Sequence, residues 1–326
     1  MARDRSSGLA LSGSLLGPGL ILLSAIGFGS AGPTSRLAAE HGLSTLSFII
    51  WRSAVGGLAV AFAFALALAL GRARMPRAAE PSRGDRTSLA LAAVGSTLVN
   101  LAMFIAFSRT TIAQAMICFY TYPGLVTLGA VRFFGEPLDR IRAGALAVAF
   151  VGLVVVLAPS LLQSGLVVDP LGVALALMAS VLQAGDVLLA GRGFGAVPPM
   201  LSSTVLILVS AVVYVGIAAL TSQFGTLLEP FQDTSLWPYI LLGGIVGMAL
   251  PSVANLTGIL IIGPGRTAIL MMLEAVVGVV LAVLFLGEHP SVFQLVGGAA
   301  VLAAGAVLQV PRHGERLLVE SAHPTV

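Results

Sequence analysis

Residues 267–288, TAILMMLEAVVGVVLAVLFLGE, form an almost unbroken run of apolar and small residues. Before the last residue of this run there is one charged side chain, Glu274. A helix needs about 20 apolar residues to cross the hydrocarbon core of a bilayer, and this run is long enough. The stretch therefore predicts a transmembrane helix that carries a carboxyl group near the middle of the membrane.

The composition extends this prediction to the whole chain. Of its 326 residues, 57% are hydrophobic and only 10% are charged, and the mean hydropathy is +1.02. A soluble protein of this length could not cover its surface with so few charges. Ten runs are long enough to span a bilayer: 14–32, 45–70, 88–108, 111–133, 142–159, 169–190, 200–221, 237–260, 265–286 and 291–310. The predicted fold class is an all-α integral membrane protein with ten transmembrane helices.

The basic residues give the orientation of these spans. All 17 are arginines, and most lie in short clusters between the apolar runs. A nucleic-acid partner would need a basic stripe on a soluble surface, whereas clusters of this kind follow from the positive-inside rule. With a cytoplasmic N-terminus, 14 arginines lie inside, Arg36 and Arg109 lie outside, and Arg52 remains within a span. We therefore expect both termini on the cytoplasmic side of a bacterial cell membrane and no nucleic-acid partner.

The two halves of the chain resemble each other. Asn100-Leu101 recurs as Asn255-Leu256, and Gly135-Glu136-Pro137 recurs at an offset of 152 as Gly287-Glu288-His289. The same offset places Tyr122-Pro123 opposite Glu274-Ala275. Each repeat contains five spans, and because five is odd the second repeat must be inverted relative to the first. Transporters use such inverted repeats to alternate access around a site near the midplane.

This repeat divides the chain into five segments. We expect a cytoplasmic N-terminus, a first five-helix repeat, an extracytoplasmic linker, a second five-helix repeat and a cytoplasmic tail. These segments cover residues 1–13, 14–159, 160–168, 169–310 and 311–326.

The repeated motifs resemble those of the EamA-type drug/metabolite transporters, as does Arg52 in FIIWRSAVGG. The resemblance implies a ten-helix secondary carrier in which helices one to four and six to nine surround a cavity, with five and ten peripheral. It also implies export of amino acids and other small metabolites. Relatives often have proline where this chain has Ala275, which weakens the inference that both halves hinge alike.

Three ionisable side chains lie inside predicted spans, where charge is costly and usually functional. Glu274 is expected to bind a substrate amine, carry a proton or both, or else to donate a structural hydrogen bond as a neutral acid. Arg52 either faces the cavity as an anion site or extends to the outer headgroups. Asp186, with Gln183 three residues earlier on the same face, either lines an inner gate or pairs with Arg192.

Uncharged polar residues complete the predicted cavity. Tyr120 and Tyr122 stand beside Pro123-Gly124, which should interrupt the fourth helix, and irregular backbone at membrane depth is tolerated where it lines a cavity or is buried in protein. Pro251 is a further hinge candidate. Asn100 and Asn255 are expected either to bond between helices or to contact substrate.

The Gly-Glu motif at Glu136 has a structural interpretation. It places a carboxylate before the start of the fifth helix, where a negative charge suits the helix dipole.

The function predicted from these features is secondary active transport of a small-molecule substrate, in contact with membrane lipid, with no cofactor and no metal. A lipid-carrier flippase of the same superfamily is the alternative. An intramembrane enzyme is disfavoured because no His-Glu-x-x-His or Gly-x-Ser-x-Gly motif is present and no histidine lies within a span. The sequence leaves open the substrate, the direction of transport, the coupling ion and whether the protein is a monomer or a homodimer.

Overall fold

The computed structural model describes residues 4–72, 82–110, 112–164, 169–195, 197–286 and 289–309. These residues form helices and contain no β-strand. We number ten transmembrane helices in chain order: α1 (Asp4–Gly29 and Ala31–Glu40), α2 (Thr45–Ala69), α3 (Arg83–Arg109), α4 (Ile112–Phe119 and Tyr122–Phe134), α5 (Arg140–Ser164), α6 (Pro170–Arg192), α7 (Pro199–Leu220), α8 (Trp237–Leu241, Leu242–Ala249 and Leu250–Ile262), α9 (Pro264–Met271 and Leu273–Leu286) and α10 (Val292–Gln309).

The predicted architecture of ten helices in two inverted repeats is confirmed. Within the described residues, eight helices are long and apolar enough to span a membrane, and Val292–Leu308 is a shorter apolar helix. The remaining helix is α3, which is 27 residues long and carries charged residues near both ends. Most helix ends lie within a few residues of the predicted ones. The exceptions are α1, which begins at Asp4 and ends at Glu40 where the predicted span was 14–32, and α5, which continues to Ser164, inside the segment predicted as linker. Gly287, Glu288 and the predicted tail lie outside the described residues.

Helices α4 and α9 are both interrupted near the middle, at equivalent positions of the two repeats. In α4 the break lies at Tyr120 and Thr121, just before Pro123, which has no N–H with which to continue the helical ladder. In α9 the break lies at Met272, whose N–H donates to the Ile269 carbonyl at 3.2 Å. Met272 is the counterpart of Tyr120 at the offset of 152. The second repeat is therefore interrupted like the first, although it has Ala275 where the first has proline.

Helix α8 contains a stretch of π-helix, Leu242–Ala249, directly before Pro251. Pro251 has no N–H to donate to the carbonyl of Gly247, four residues earlier, so the regular α-helical bond is lost there. The same stretch is in close contact with α2. A Cβ added at Gly56 would lie 2.8 Å from the Gly244 carbonyl oxygen, so only small residues allow this approach.

The peripheral pair α5 and α10 packs through glycines. A Cβ on Gly152 would lie 2.8 Å from the backbone oxygen of Gly297, and a Cβ on Gly297 would in turn meet the Gly152 oxygen. The backbones are therefore in direct contact. Elsewhere in the bundle α3 packs against α6 and α7, α1 against α8 and α9, and α2 against α7 and α8.

Residues 224–236 form three short helices that cover one end of the bundle between α7 and α8. The indole Nε1 of Trp51 donates to the Leu227 carbonyl at 3.1 Å. The rings of Trp51, Phe231 and Trp237 contact one another at centroid distances of 5.4, 5.4 and 5.7 Å. Glu229 also accepts a hydrogen bond from the Ser44 amide at 2.9 Å. This segment therefore fixes the end of α2 that lies nearest to Arg52.

Candidate functional site

Glu274 lies in the first turn of the second segment of α9, Leu273–Leu286. The interruption at Met272 creates this helix start in the interior of the bundle. A helix N-terminus carries partial positive charge, so it favours a carboxylate in its first turn. The helix α1 approaches closely here, because a Cβ on Gly29 would lie 2.8 Å from the backbone oxygen of Glu274. Among the described residues, no side chain forms a hydrogen bond with the Glu274 carboxyl.

Tyr120 and Tyr122 lie at the equivalent break in α4. Their side chains are buried, at 2% and 4% exposure, and their ring centroids are 6.0 Å apart. The ring of Phe119 packs on both. Both phenols are close enough to Glu274 to interact with it electrostatically. The structure thus brings the Tyr122 and Glu274 positions, which are equivalent in the two repeats, into one cluster.

Arg52 reaches the same region from α2. Its Nη2 donates to the Gly247 carbonyl at 3.3 Å and lies 3.9 Å from the Met248 sulfur. Pro251 makes this carbonyl available, because it cannot donate the helical bond to it. The guanidinium is within electrostatic range of Glu274, yet the two do not form an ion pair. The buried Nε of Arg52 has no hydrogen-bond partner in the described part of the chain.

A chain of hydroxyl groups continues from Arg52 towards α3. Arg52 lies within electrostatic range of Tyr214 on α7, and the Tyr214 hydroxyl lies near Ser210, one turn earlier. The Ser210 hydroxyl lies 2.9 Å from the hydroxyl of Thr97 on α3, and both are buried. The sequence analysis missed these three residues. The only signal was the spacing of Ser210 and Tyr214 at i and i+4 in the apolar second half of α7.

Asp186 lies on α6 with its carboxyl directly against Gly95 of α3. Its Oδ2 atom is buried without a hydrogen-bond partner among the described residues. The pairing with Arg192 that the sequence offered as one alternative does not form, since Arg192 stacks on the Phe133 ring at 5.6 Å. Gln183, one turn earlier on α6, is half-buried. Asp186 therefore occupies a separate contact between α3 and α6.

The two asparagines differ from each other despite the repeat. Asn100 is exposed, and its Nδ2 donates to the Ser96 carbonyl of its own helix at 2.7 Å. Asn255 is half-buried, and its Oδ1 has no partner among the described residues. The hinge candidates are Pro123, Gly124 and Pro251, and each lies at or beside an interruption of its helix. A Cβ at Gly124 would meet no atom within 4 Å, so packing does not require glycine there.

The carboxylate that caps α5 is Asp139 and not Glu136, which corrects the sequence interpretation. The Asp139 Oδ1 accepts hydrogen bonds from the Ile141 and Arg142 amides at 3.0 and 2.8 Å. The Glu136 carboxyl does not bond to the first amides of α5; it accepts hydrogen bonds from the Arg142 side chain at 3.0 Å and from the Gly265 amide at 3.4 Å. The predicted and observed capping carboxylates lie three residues apart in the same loop, a difference that hydropathy and motif spacing do not show.

No group of three or more His, Cys, Asp or Glu side chains in the described segments is arranged to hold a metal ion. The chemistry available at the Glu274 cluster is therefore that of its charges and hydroxyl groups. A carboxyl, a guanidinium and several phenol and alcohol groups can hold a small charged molecule and move protons.

Comparison with known proteins identifies the family. Both five-helix repeats match the model of the EamA-like transporter family, over residues 15–158 and 170–309. A solved crystal structure of another protein superposes with a TM-score of 0.67 at 20% identity, covering 92% of this chain and 98% of that chain. That likeness shows the fold alone. A comparison with curated proteins gives no match. Because the family model covers most of the chain in two copies, this protein belongs to the EamA-like transporter family of membrane transporters.

Proposed function

We propose that the protein is a secondary active transporter that exports small metabolites such as amino acids across the bacterial cell membrane. In this proposal the substrate binds between the two repeats, at Glu274, Tyr122, Tyr120 and Arg52. A proton is exchanged through Glu274, and both chain termini face the cytoplasm.

The observation that carries the proposal is the pair of opposite charges at Arg52 and Glu274. Charges inside a membrane are costly unless they are paired or functional. Here the two groups lie on different helices, interact electrostatically and do not touch. The buried Nε of Arg52 has no hydrogen-bond partner among the residues that the structure describes. A substrate that carries both a carboxylate and an amine would satisfy the two groups together, as a free amino acid does.

The paired helix interruptions support alternating access. Helices α4 and α9 break at equivalent positions, and each break lies within two residues of a site residue, Tyr122 or Glu274. Half-helices that meet at the midplane of inverted repeats are the usual setting for a transported substrate. Movement of either half-helix would therefore change access to the site directly.

A lipid-carrier flippase is the second candidate, because one observation favours it. A groove of about 290 Å³ opens on the side of the bundle between α3 and α7. Its walls are apolar, with Leu89, Ala93 and Val209 among them, and Arg86 lies at one end. The hydroxyl groups of Thr97 and Ser210 join the same two helices, and Thr97 also donates to the carbonyl of Ala93, one of the wall residues. An acyl chain in this groove would leave a headgroup near Arg86.

Transport by purified protein in proteoliposomes tests the proposal. We expect a pH gradient to drive accumulation of one or more radiolabelled amino acids. Glu274→Gln should abolish this accumulation while the protein remains monodisperse, and Glu40→Gln, at the exposed end of α1, should behave like the unaltered protein. Unchanged pH dependence in Glu274→Gln would exclude the proton role.

A second variant separates recognition of the two substrate charges. We expect Arg52→Gln to weaken binding of amino acids far more than binding of the corresponding amines, which lack the carboxylate. A hydrogen bond to a charged group contributes about 1.5–3 kcal/mol, which corresponds to roughly ten- to hundredfold in affinity. Equal losses for amino acids and amines would show that Arg52 does not bind the carboxylate. Transport of a fluorescent lipid by a protein that moves no amino acid would favour the flippase.

A further inference from the structure

We propose that Glu136 is the latch of a gate that closes the central site towards the end of the bundle where α4 ends and α9 begins. This latch joins the two repeats, because Glu136 follows the last residues of α4 and its carboxyl accepts a hydrogen bond from the first turn of α9. This inference rests on the proposed transport function, because it gives that function a specific closed gate. In the predicted orientation this end faces the cytoplasm.

The backbone after α4 aims the Glu136 side chain at α9. Helix α4 ends at Gly135, which has a left-handed φ of +66°. The amide of Glu136 then donates back to the Ala130 carbonyl, six residues earlier, at 3.2 Å. The left-handed glycine turns the chain at the end of α4, as is usual at helix C-termini, and the Glu136 carboxyl lies against α9. The carboxyl reaches the first turn of α9, 129 residues further along the sequence.

The start of α9 is shaped to receive this carboxylate. The Gly265 amide donates to Oε1 at 3.4 Å, where the helix N-terminus also favours a negative charge. A Cβ on Gly263 would lie 2.5 Å from Oε1, and a Cβ on Gly265 would lie 2.8 Å from Oε2. Any larger residue at either glycine would therefore displace the carboxyl. The segment Pro264–Met271 is eight residues long and leads directly to the break at Met272.

Arg142 on α5 is the second partner of the latch. Its Nη1 lies 3.0 Å from the Glu136 Oε2, and the two side chains are only 10% and 16% exposed. The same Nη1 also donates to the Pro137 carbonyl at 3.1 Å. Because Arg142 belongs to the first repeat, this ion pair would remain with Glu136 if α9 moved away. The charge is therefore paired in either position, and the bond to Gly265 can break without leaving an isolated carboxylate.

The packing of α4 and α9 shows which side of the site is closed. The second segment of α4, Tyr122–Phe134, packs against the first segment of α9, and Ala130 lies 3.4 Å from the position of a Cβ on Gly265. The first segment of α4 and the second segment of α9 pack on different helices: Ile112–Phe119 packs on α5 and α6, whereas Leu273–Leu286 packs on α1 and α10. The two helices thus converge on the Glu136 side of Tyr122 and Glu274 and diverge beyond them. To open the site on the converged side, α4 and α9 must separate, and Glu136 must release Gly265.

Labelling of a buried cysteine measures this opening. Thr127 lies on α4 between Tyr122 and Glu136 and is 5% exposed. We would introduce Thr127→Cys in a Cys118→Ser background and follow its reaction with a membrane-impermeant maleimide in inside-out vesicles. Glu136→Gln should raise the labelling rate roughly tenfold, the factor that corresponds to about 1.4 kcal/mol. The control is Asp139→Asn, which alters the carboxylate of the same loop that caps α5.

The outcomes separate the latch from the proposed function. Equal labelling in Glu136→Gln and Asp139→Asn would overturn the latch, as would an increase only in right-side-out vesicles. If Glu136→Gln does not fold, Gly265→Ala replaces it, because its Cβ displaces the carboxyl and should raise labelling in the same way. The readout needs no substrate. Faster labelling in a protein that moves no amino acid would support the latch and reject the substrate, and active transport with unchanged labelling would reject the latch alone.

Discussion

The glycine contact between α5 and α10 allows a comparison of two substitutions in one helix. In Gly152→Ala the new Cβ would lie 2.8 Å from the Gly297 carbonyl oxygen and 3.0 Å from the Ala300 Cβ. In Gly144→Ala, two turns earlier, the new Cβ meets no atom within 4 Å. Both substitutions add the same methyl group to the same helix. Their difference therefore isolates the cost of separating α5 from α10.

The expected magnitude follows from two opposing contributions. Replacing glycine by alanine in a helix interior favours the helix by up to about 1 kcal/mol, and this gain is shared by both variants. Forcing a group into a packed contact costs about 1–3 kcal/mol, and here the neighbour is backbone, which cannot rotate away. Gly152→Ala should therefore be less stable than Gly144→Ala by about 1–3 kcal/mol. We expect Gly144→Ala to equal or exceed the stability of the unaltered protein.

The midpoint of thermal unfolding in detergent measures this difference. We expect Gly152→Ala to unfold several degrees below Gly144→Ala, using about 2–4 °C per kcal/mol as found for mid-sized domains. Amino-acid binding by the folded fraction should be alike in both variants, since the nearest atoms to a Cβ at Gly152 belong to α10 and not to the site residues. A midpoint for Gly152→Ala at or above that of Gly144→Ala would refute the direct backbone contact.

Two further substitutions test the helix irregularities and a capping carboxylate. Pro251→Ala supplies an N–H for the Gly247 carbonyl and should straighten α8. We therefore expect the maximal transport rate to fall more than the binding affinity. The control is Pro170→Ala, because Pro170 stands in the first turn of α6, where no N–H is needed. Hydrogen bonds from the first amides of α6 and the guanidinium of Arg109 lower the pKa of Asp169 below its usual value. A lowered folded-state pKa means that the charge stabilises the protein above about pH 4 and that this contribution is lost as the pH falls through the folded-state pKa. Asp169→Asn should thus lower the unfolding midpoint at pH 7 and not in strong acid, and an equal loss at both would show that the charge is irrelevant.

Much of the site could be named from the sequence because a charge in an apolar run is visible without a structure. Glu274 and Arg52 were candidates for that reason, and Tyr122 followed from its alignment with Glu274. Their assembly into one cluster could not be derived in this way. Arg52 and the Gly247 carbonyl are 195 residues apart, and their contact depends on how α2 packs against α8. Thr97 gave no signal, since lone hydroxyl residues are common in membrane helices.

Of the two interruptions in α4 and α9, only one could be predicted from the sequence. Pro123 predicts a break in α4, because proline removes a backbone donor wherever it stands. The break at Met272 has no such local cause, and Ala275 argued against it. The role of Glu136 was also misread, because the sequence places it next to α5 while the left-handed turn at Gly135 brings its carboxyl to α9.

The amino-acid sequence by itself determined the membrane environment, the ten spans and the inverted repeat. Each of these follows from local length, hydropathy and the periodic recurrence of short motifs, which do not depend on distant contacts. The run at residues 267–288 already placed a carboxyl within the membrane. Only the tertiary structure decided which groups face that carboxyl and where the two repeats join. Those features depend on close approach between helices that are distant in sequence, and such approach is set by packing and not by local pattern.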